Sequence, residues 1–454
     1  MNNNLKKFIL VAGDVVVLYL SLYLTLLIRY WATPTSGLWS EHLGPFTIIF
    51  AVWLIIFYIS KLYDLNLAVN NVRFFQLTAR SLVITVLLSA AFFYLTPQVN
   101  IAPKRNLLIY VMIFAVLFYF WRQFFNWSLK AYLPKNNLAF VGYNPRVNEL
   151  IYELKNKPHL GYNICFLIDG DESKNNNINN LPIYKNIKEL NRLITRYKIS
   201  TIVLTANPHQ SDELKTTLFN CLSLKISYVY LPNFYESVTG KIPIETIGHL
   251  WFLENLSEGS KQWFNQLKRF YDFAFSIIIF LITLPLWPLI GIIIKLESRG
   301  PIFFLSKRVG QNNREFSLLK FRTMREENNN RVFTKANDSR ITKFGSLLRK
   351  TRLDEIPQMI NIALGDMSFV GPRPERPELI EELEKAIPFY RERMLVKPGV
   401  TGWDQVSGEY HSPSQEDTLK KLQYDLYYIK NRSIYLDLSI ILKTVATVLG
   451  GGGR

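Results

Sequence analysis

Apolar residues fall in blocks along this 454-residue chain rather than evenly. Four of these blocks, at 8–31, 46–63, 81–97 and 106–125, are each near the ~20 residues that a helix needs to cross a bilayer. They predict a four-helix transmembrane region over residues 1–133. The first block is too long for a cleaved leader and has no small-residue cleavage site before the next one. Asp14 interrupts it, and a lone acid in a span is expected to be buried against a neighbouring helix. Trp31, Trp121 and Trp127 stand at span ends, where aromatic belts form. Lys6 and Lys7 precede the first span, Lys61, Arg73 and Arg80 fill the second loop, and Arg122, Lys130 and Lys135 follow the fourth span. The loop at 32–45 has no Lys or Arg, while Lys104 and Arg105 in the third loop run against the trend. The balance places both ends of this region on the cytosolic side.

Between 134 and 254 the pattern switches to short apolar runs alternating with amphipathic ones. Strands are expected at 137–142, 164–168, 200–205 and 226–231, with helices at 147–154, 187–197 and 210–222. Such alternation predicts an α/β domain of Rossmann type with a parallel sheet. The Asn-rich stretch 171–180 reads as a surface loop. The turn Gly142-Tyr143-Asn144-Pro145-Arg146-Val147 keeps one of the three glycines of the dinucleotide fingerprint. A structural or regulatory module is therefore favoured over a cofactor site.

A fifth apolar block, 273–294, lies within the third region, 255–454. It is flanked by Lys268-Arg269 on one side and by Lys295 and Arg299 on the other, and Pro285 and Pro288 fall centrally. A helix over about 270–296 that breaks at Pro285 and turns back keeps both basic flanks on one side. A re-entrant helix is thus expected, not a fifth span. The apolar segment 434–449 reads as a helix lying along the membrane surface, and 450–453 as a flexible tail.

Composition narrows the partners. The formal net charge is +17 with 49% hydrophobic residues, which suits anionic ligands at a lipid surface. No RNA-binding, zinc-finger or helix-turn-helix spacing is visible, so nucleic acid is not expected. Cys165 and Cys221 read as buried, reduced thiols, and the five histidines form no pair at metal-ligand spacing.

The chemistry concentrates late in the chain. In Thr351-Arg352-Leu353-Asp354-Glu355-Ile356-Pro357-Gln358 two adjacent carboxylates sit among guanidinium groups. Acids that attack or hold a metal, and arginines that hold charge, suit work on a phosphate. Asp354 and Glu355 are expected to begin a helix with Pro357 in its first turn, aiming free backbone N–H groups at an anion. Arg349 lies more than a turn earlier and is a phosphate-binding candidate. Lys320 and Arg322 alternate with Phe321 along a strand and so share a face. In Gly371-Pro372-Arg373-Pro374 the prolines preset the backbone around Arg373, and Lys397-Pro398-Gly399 repeats the device.

Lys320-Phe321-Arg322-Thr323-Met324, Leu353-Asp354-Glu355, Gly371-Pro372-Arg373-Pro374 and Lys397-Pro398-Gly399-Val400-Thr401-Gly402-Trp403 occur in this order. Together they resemble the bacterial sugar transferase family, the polyprenyl-phosphate hexose-1-phosphate transferases. The resemblance implies transfer of a sugar-1-phosphate from a UDP-sugar to undecaprenyl phosphate at the bacterial inner membrane, beginning exopolysaccharide, capsule or O-antigen assembly. It implies Asp354 as the nucleophile, Asp354 and Glu355 as holders of Mg²⁺, and Lys320, Arg322, Arg349, Arg373 and Lys397 as phosphate ligands. It also implies a functional acid at Asp425, within Tyr424-Asp425-Leu426-Tyr427-Tyr428-Ile429-Lys430-Asn431, where a structural ion pair would look the same. The partners implied are a UDP-sugar, undecaprenyl phosphate and the lipid bilayer, and a homo-oligomer is compatible. The stretch 404–409 is less uniform in that family, which leaves sugar recognition open. Two other readings stay open at this stage: a glycosyltransferase releasing UDP, and a membrane scaffold or regulator built on an inactive transferase.

Overall fold

The computed structural model describes residues 3–60, 62–63, 72–96, 103–132, 136–157, 160–169, 181–205, 212–256, 258–325, 338–407 and 414–449. Lys61, Lys135, the 171–180 stretch, Gly408, Glu409 and the 450–453 tail lie outside them, as do the side chains of Arg73, Lys104, Arg105 and Lys130. The chain divides into two compact units, Met1–Phe234 and Tyr235–Arg454.

The first unit opens with α1 (Asn3–Tyr30), α2 (Ser36–Ile59), α3 (Val72–Leu95) and α4 (Pro103–Tyr132). All four are long and apolar enough to cross a bilayer. Phe46, Phe50, Trp53 and Phe57 recur every three or four residues along α2 and pack on Tyr110, Phe114 and Phe118 of α4. That spacing puts them on one helical stripe. Asp14 is fully buried and pairs with Arg122 at 2.7 Å, while Arg122 also donates to the Leu62 carbonyl at 3.0 Å.

Three expectations change here. Most of the expected loop 32–45 is helix, because Thr35 caps α2 through the Leu38 N–H and the turn runs on through Pro45. Arg122 is no flanking charge, since α4 continues past it and Asp14 draws it inward. Trp121 is not in an aromatic belt. It fills the space over Gly13, where an added Cβ would lie 1.9 Å from the indole. Trp31 and Trp127 are exposed.

Next come β1 (Asn136–Val141), α5 (Pro145–Asn156), β2 (Tyr162–Ile168), β3 (Ile183–Tyr184), α6 (Leu190–Tyr197), β4 (Thr201–Leu204), α7 (Asp212–Asn220) and β5 (Ser227–Tyr230). The strands form one parallel sheet in the order β3-β2-β1-β4-β5. This is the expected doubly wound α/β domain. The two-residue β3 was not foreseen, being too short to show a period. Cys221 is buried as expected, but Cys165 is only half-buried, and both thiols are free.

The second unit receives the chain from α8 (Leu231–Thr239) and α9 (His249–Asn255), then continues with α10 (Gln262–Thr283) and α11 (Leu286–Glu297). The axes of α10 and α11 meet at 63° across Leu284-Pro285. Pro285 removes a donor at the bend, whereas Pro288 sits in the first turn of α11, where no such donor is needed, and breaks nothing. Burial on α10 is inverted: Lys268, Asp272 and Ser276 are buried, and Phe270, Phe273, Phe275, Ile278 and Ile282 are exposed. Asp437 explains the buried polar stripe, accepting from Lys268, Tyr271 and Tyr428. The apolar face therefore points away from the protein, as a lipid-facing surface does.

A hairpin of β6 (Phe303–Val309) and β7 (Glu315–Phe321) follows, then α12 (Lys343–Thr351), α13 (Gln358–Leu364), β8 (Ser368–Val370), α14 (Pro377–Ala386), β9 (Gly399–Thr401), α15 (Gln415–Asn431) and α16 (Ile434–Leu449). Lys307, Arg308 and Val309 form the end of β6. α16 is not simply a surface helix, for Leu436 and Ile440 join the core formed by α15 and β8.

Candidate active site

Register sets the floor of the site. In the antiparallel hairpin Phe304 faces Lys320, Ser306 faces Leu318 and Arg308 faces Phe316. Side chains alternate along a strand, so Phe304, Ser306, Arg308, Leu318 and Lys320 share one face. That face lines a cavity of about 350 Å³ together with Arg322, Arg325, Arg340, Arg349, Arg352, Asp354, Glu355, Arg373 and Arg376. Among the described residues, nine cationic side chains therefore meet two carboxylates there.

The carboxylates arrive on a tight turn and not on a helix start. Arg352 ends α12 in the left-handed conformation (φ 58°), its N–H bonding back to Leu348 and Arg349. Leu353–Glu355 then form a single 3₁₀ turn, and Pro357 precedes α13 instead of lying within it. The reversal delivers both acids to the cavity. Gly345 lets α12 approach the exit of β7, where a Cβ would come within 2.2 Å of the Thr323 carbonyl.

Both acids are buried, and their environments differ. Lys320 donates to Glu355 Oε1 at 2.7 Å, with Arg352 at 3.6 Å and Arg373 at 3.8 Å. Burial alone would raise Glu355, but Lys320, Arg373 and Arg352 together outweigh it and hold the group below the usual carboxylate range. Burial, reinforced by the Glu355 charge, raises Asp354 against the pull of Lys320, Arg349 and Arg352. Asp354 Oδ1 is buried without a hydrogen-bond partner. Two neighbouring acids are thereby driven apart, the pattern of groups given separate roles. Burial also lowers Lys320 and Arg349, against the stabilising charges of Glu355 and Asp354 respectively.

Of the expected residues, Lys320, Arg322, Arg349, Asp354, Glu355 and Arg373 share this cavity. Arg349 is aimed by donation to Thr323 Oγ1 at 2.8 Å, and Arg373 is half exposed on its turn. Arg322 is largely committed elsewhere, donating to the carbonyls of Arg299 at 2.9 Å and Ser298 at 2.8 Å and so tying the end of α11 to β7. Lys397 is not in the cavity. It lines a separate recess with Lys268, Arg269 and Asp272, and its segment acts as a brace. Gly371 N–H donates to Thr401 and Gly399 N–H to Pro372, each at 2.9 Å, holding the Arg373 turn. A Cβ on Gly399 would lie 2.1 Å from Gly371 N. Asp425 is also outside the cavity: it pairs with Arg393 at 2.8 Å, and Arg393 donates to the Arg373 carbonyl at 2.9 Å. It reaches the site only through that relay. Burial pushes Asp425 up to about 7 against the pull of Arg393.

Sequence reasoning did not select Arg308, Arg325, Arg352 or Arg376. The period-2 face shared by Arg308 and Lys320 was a usable signal once the hairpin register was known. Mg²⁺ fits the donor set: adjacent carboxylates offer hard oxygens, and the orphaned Asp354 Oδ1 suits a cation. Among the described residues no group of three or more acidic, histidine or cysteine side chains is placed to hold a metal ion.

This cavity suits a phosphate-bearing ligand and lies in the same unit as the helix pair broken at Pro285, and sequence comparison points to a transferase. The bacterial sugar transferase family matches residues 263–451, and a CoA-binding domain family matches 58–231. The UDP-glucose:undecaprenyl-phosphate glucose-1-phosphate transferase of Xanthomonas campestris pv. campestris is 32% identical over 72% of this chain and 70% of its own length. The UDP-N-acetylgalactosamine-undecaprenyl-phosphate N-acetylgalactosaminephosphotransferase of Aeromonas hydrophila is 38% identical over 54% of this chain, which spans 57% of that relative. An exopolysaccharide production protein of Rhizobium leguminosarum bv. phaseoli, 37% identical, is covered over 96% of its length by 41% of this chain. The chain belongs to the bacterial sugar transferase family.

Proposed function

We propose that this protein moves a sugar-1-phosphate from a UDP-sugar to undecaprenyl phosphate, releasing UMP, as the first step of a surface polysaccharide. The observation that carries the reading is the adjacent Asp354 and Glu355 carboxylates, buried in an arginine-lined cavity with Asp354 Oδ1 left without a hydrogen-bond partner. The cations of the cavity grip the diphosphate and orient it for in-line displacement. An Asp354 oxygen attacks the phosphorus that bears the sugar, the bond from that phosphorus to the bridging oxygen breaks, and UMP leaves with the electron pair. An oxygen of the lipid phosphate then attacks the same phosphorus, and its bond to Asp354 breaks, restoring the carboxylate. Glu355, kept ionised, fixes Lys320 beside the reacting group. Mg²⁺ held by Asp354 and Glu355 would supply neutralisation of phosphate charge.

The bend at Pro285 and the outward apolar face of α10 support a re-entrant helix. α11, with 12 residues, is only ~18 Å long, short of the ~30 Å hydrocarbon core. Both units then have their polar parts on the cytosolic side of the inner membrane, where UDP-sugars are found. The test is the nucleotide product: purified protein with a panel of UDP-sugars, undecaprenyl phosphate and Mg²⁺ should release UMP. UDP as the main product would mean a glycosyltransferase instead.

A further inference from the structure

Beside the arginine-lined cavity lies a second one of about 240 Å³, between α13, β9 and α16. Its walls include Met359, Phe369, Val400, Ile441 and Val445, and Arg352 and Glu355 line one end. These same two residues line the first cavity, so the two spaces meet at them. A hydrogen bond between Thr401 and Thr444 at 2.7 Å ties α16 to β9 and keeps the slot's shape. The mechanism of the first displacement makes no use of this space.

We propose that the slot holds the phosphate-proximal isoprene units of the acceptor lipid, with Arg352 at its mouth receiving the lipid phosphate. This rests on the transfer reaction proposed above. A polyprenyl phosphate joins an anion directly to an apolar chain, and the junction offers a guanidinium followed by apolar walls. Arg352 is suited to the role because its side chain is one-third exposed and only loosely paired, 3.6 Å from Glu355 Oε2. An anion there lies next to Asp354, where the second displacement occurs. A cavity of about 150 Å³ accommodates a benzene ring. The slot therefore takes one or two isoprene units and leaves the remaining chain to the bilayer.

The two half-reactions separate this inference from the reaction itself. Without acceptor, the unaltered protein should give a burst of UMP; no burst would end the transfer reading before the slot is tested. Val445→Trp fills the slot from an exposed position on α16. It should leave the burst intact and raise KM for undecaprenyl phosphate about tenfold, equivalent to ~1.4 kcal/mol. An unchanged KM with a normal burst, or equal loss of both half-reactions, would overturn the slot. As an independent check, unaltered protein given polyprenyl phosphates of one, two, three and more isoprene units should show KM falling over the first two and then levelling. No dependence on those first units would overturn it as well. Arg352→Gly keeps the left-handed backbone while removing the guanidinium, and should raise KM for every acceptor length alike.

Discussion

Two buried acid sites in this molecule obey opposite rules. In the membrane helices Asp14 faces one arginine, Arg122, and the pair is closed off at 2.7 Å by aromatic neighbours. In the second unit Asp354 and Glu355 face a surplus of cations across an open cavity. A charge matched one-to-one and sealed is a structural element. Cations in excess of their acids suit an anionic ligand. Asp425 belongs with the first kind, since it is buried and matched to Arg393, yet its partner also holds the Arg373 turn.

The largest expected effect tests the open site. Asp354→Asn should lower transfer on the order of 10³-fold or more, as loss of a nucleophile does. Thermal unfolding and membrane insertion should stay near normal, because Asp354 has no hydrogen-bonded partner at Oδ1 to lose. Near-normal turnover would remove it as nucleophile. The closed pair should show the reverse pattern. Asp14→Leu strands Arg122 in an apolar bundle and should cost about 3–5 kcal/mol, whereas Asp14→Leu with Arg122→Met should recover most of it. Denaturation in detergent measures both, and equal stabilities of the single and double variants would contradict the account.

Asp425 should fall between these. Asp425→Asn removes a charge-assisted contact worth about 1.5–3 kcal/mol and loosens the Arg373 turn. The expected kinetic signature is a higher KM for UDP-sugar with a smaller change in kcat. A loss confined to kcat would make Asp425 a participant in the chemistry. The smallest effect concerns pH. Asp354 must be ionised to attack, and burial raises its pKa, so kcat/KM of the first half-reaction should fall on acidification at a pH above the ordinary aspartate value. An acid limb at or below that value would contradict the split between Asp354 and Glu355.

Much of this was legible in the chain. Local patterns found the four apolar helices, the parallel sheet and the break at Pro285, since each depends on residues near one another in sequence. The Asp354-Glu355 dipeptide and the Arg373 turn were legible for the same reason. Long-range geometry was not. Only the β6–β7 register brings Arg308 beside Lys320, and only the fold shows that Lys397 braces a turn while its ammonium lies elsewhere. Asp425 has its partner 32 positions away, at Arg393. Arg122 was misjudged because its pairing partner lies on another helix, more than one hundred residues earlier.

The central claim is that Asp354 carries the sugar phosphate between donor and acceptor. Protein incubated with its UDP-sugar and Mg²⁺ but no lipid should release about one UMP per active site and stop, the mark of a covalent intermediate. Mass spectrometry of the quenched protein should place a phosphosugar on the peptide containing Asp354, and adding undecaprenyl phosphate should discharge it. UMP that forms only when the lipid is present, with no modified peptide, would contradict the claim.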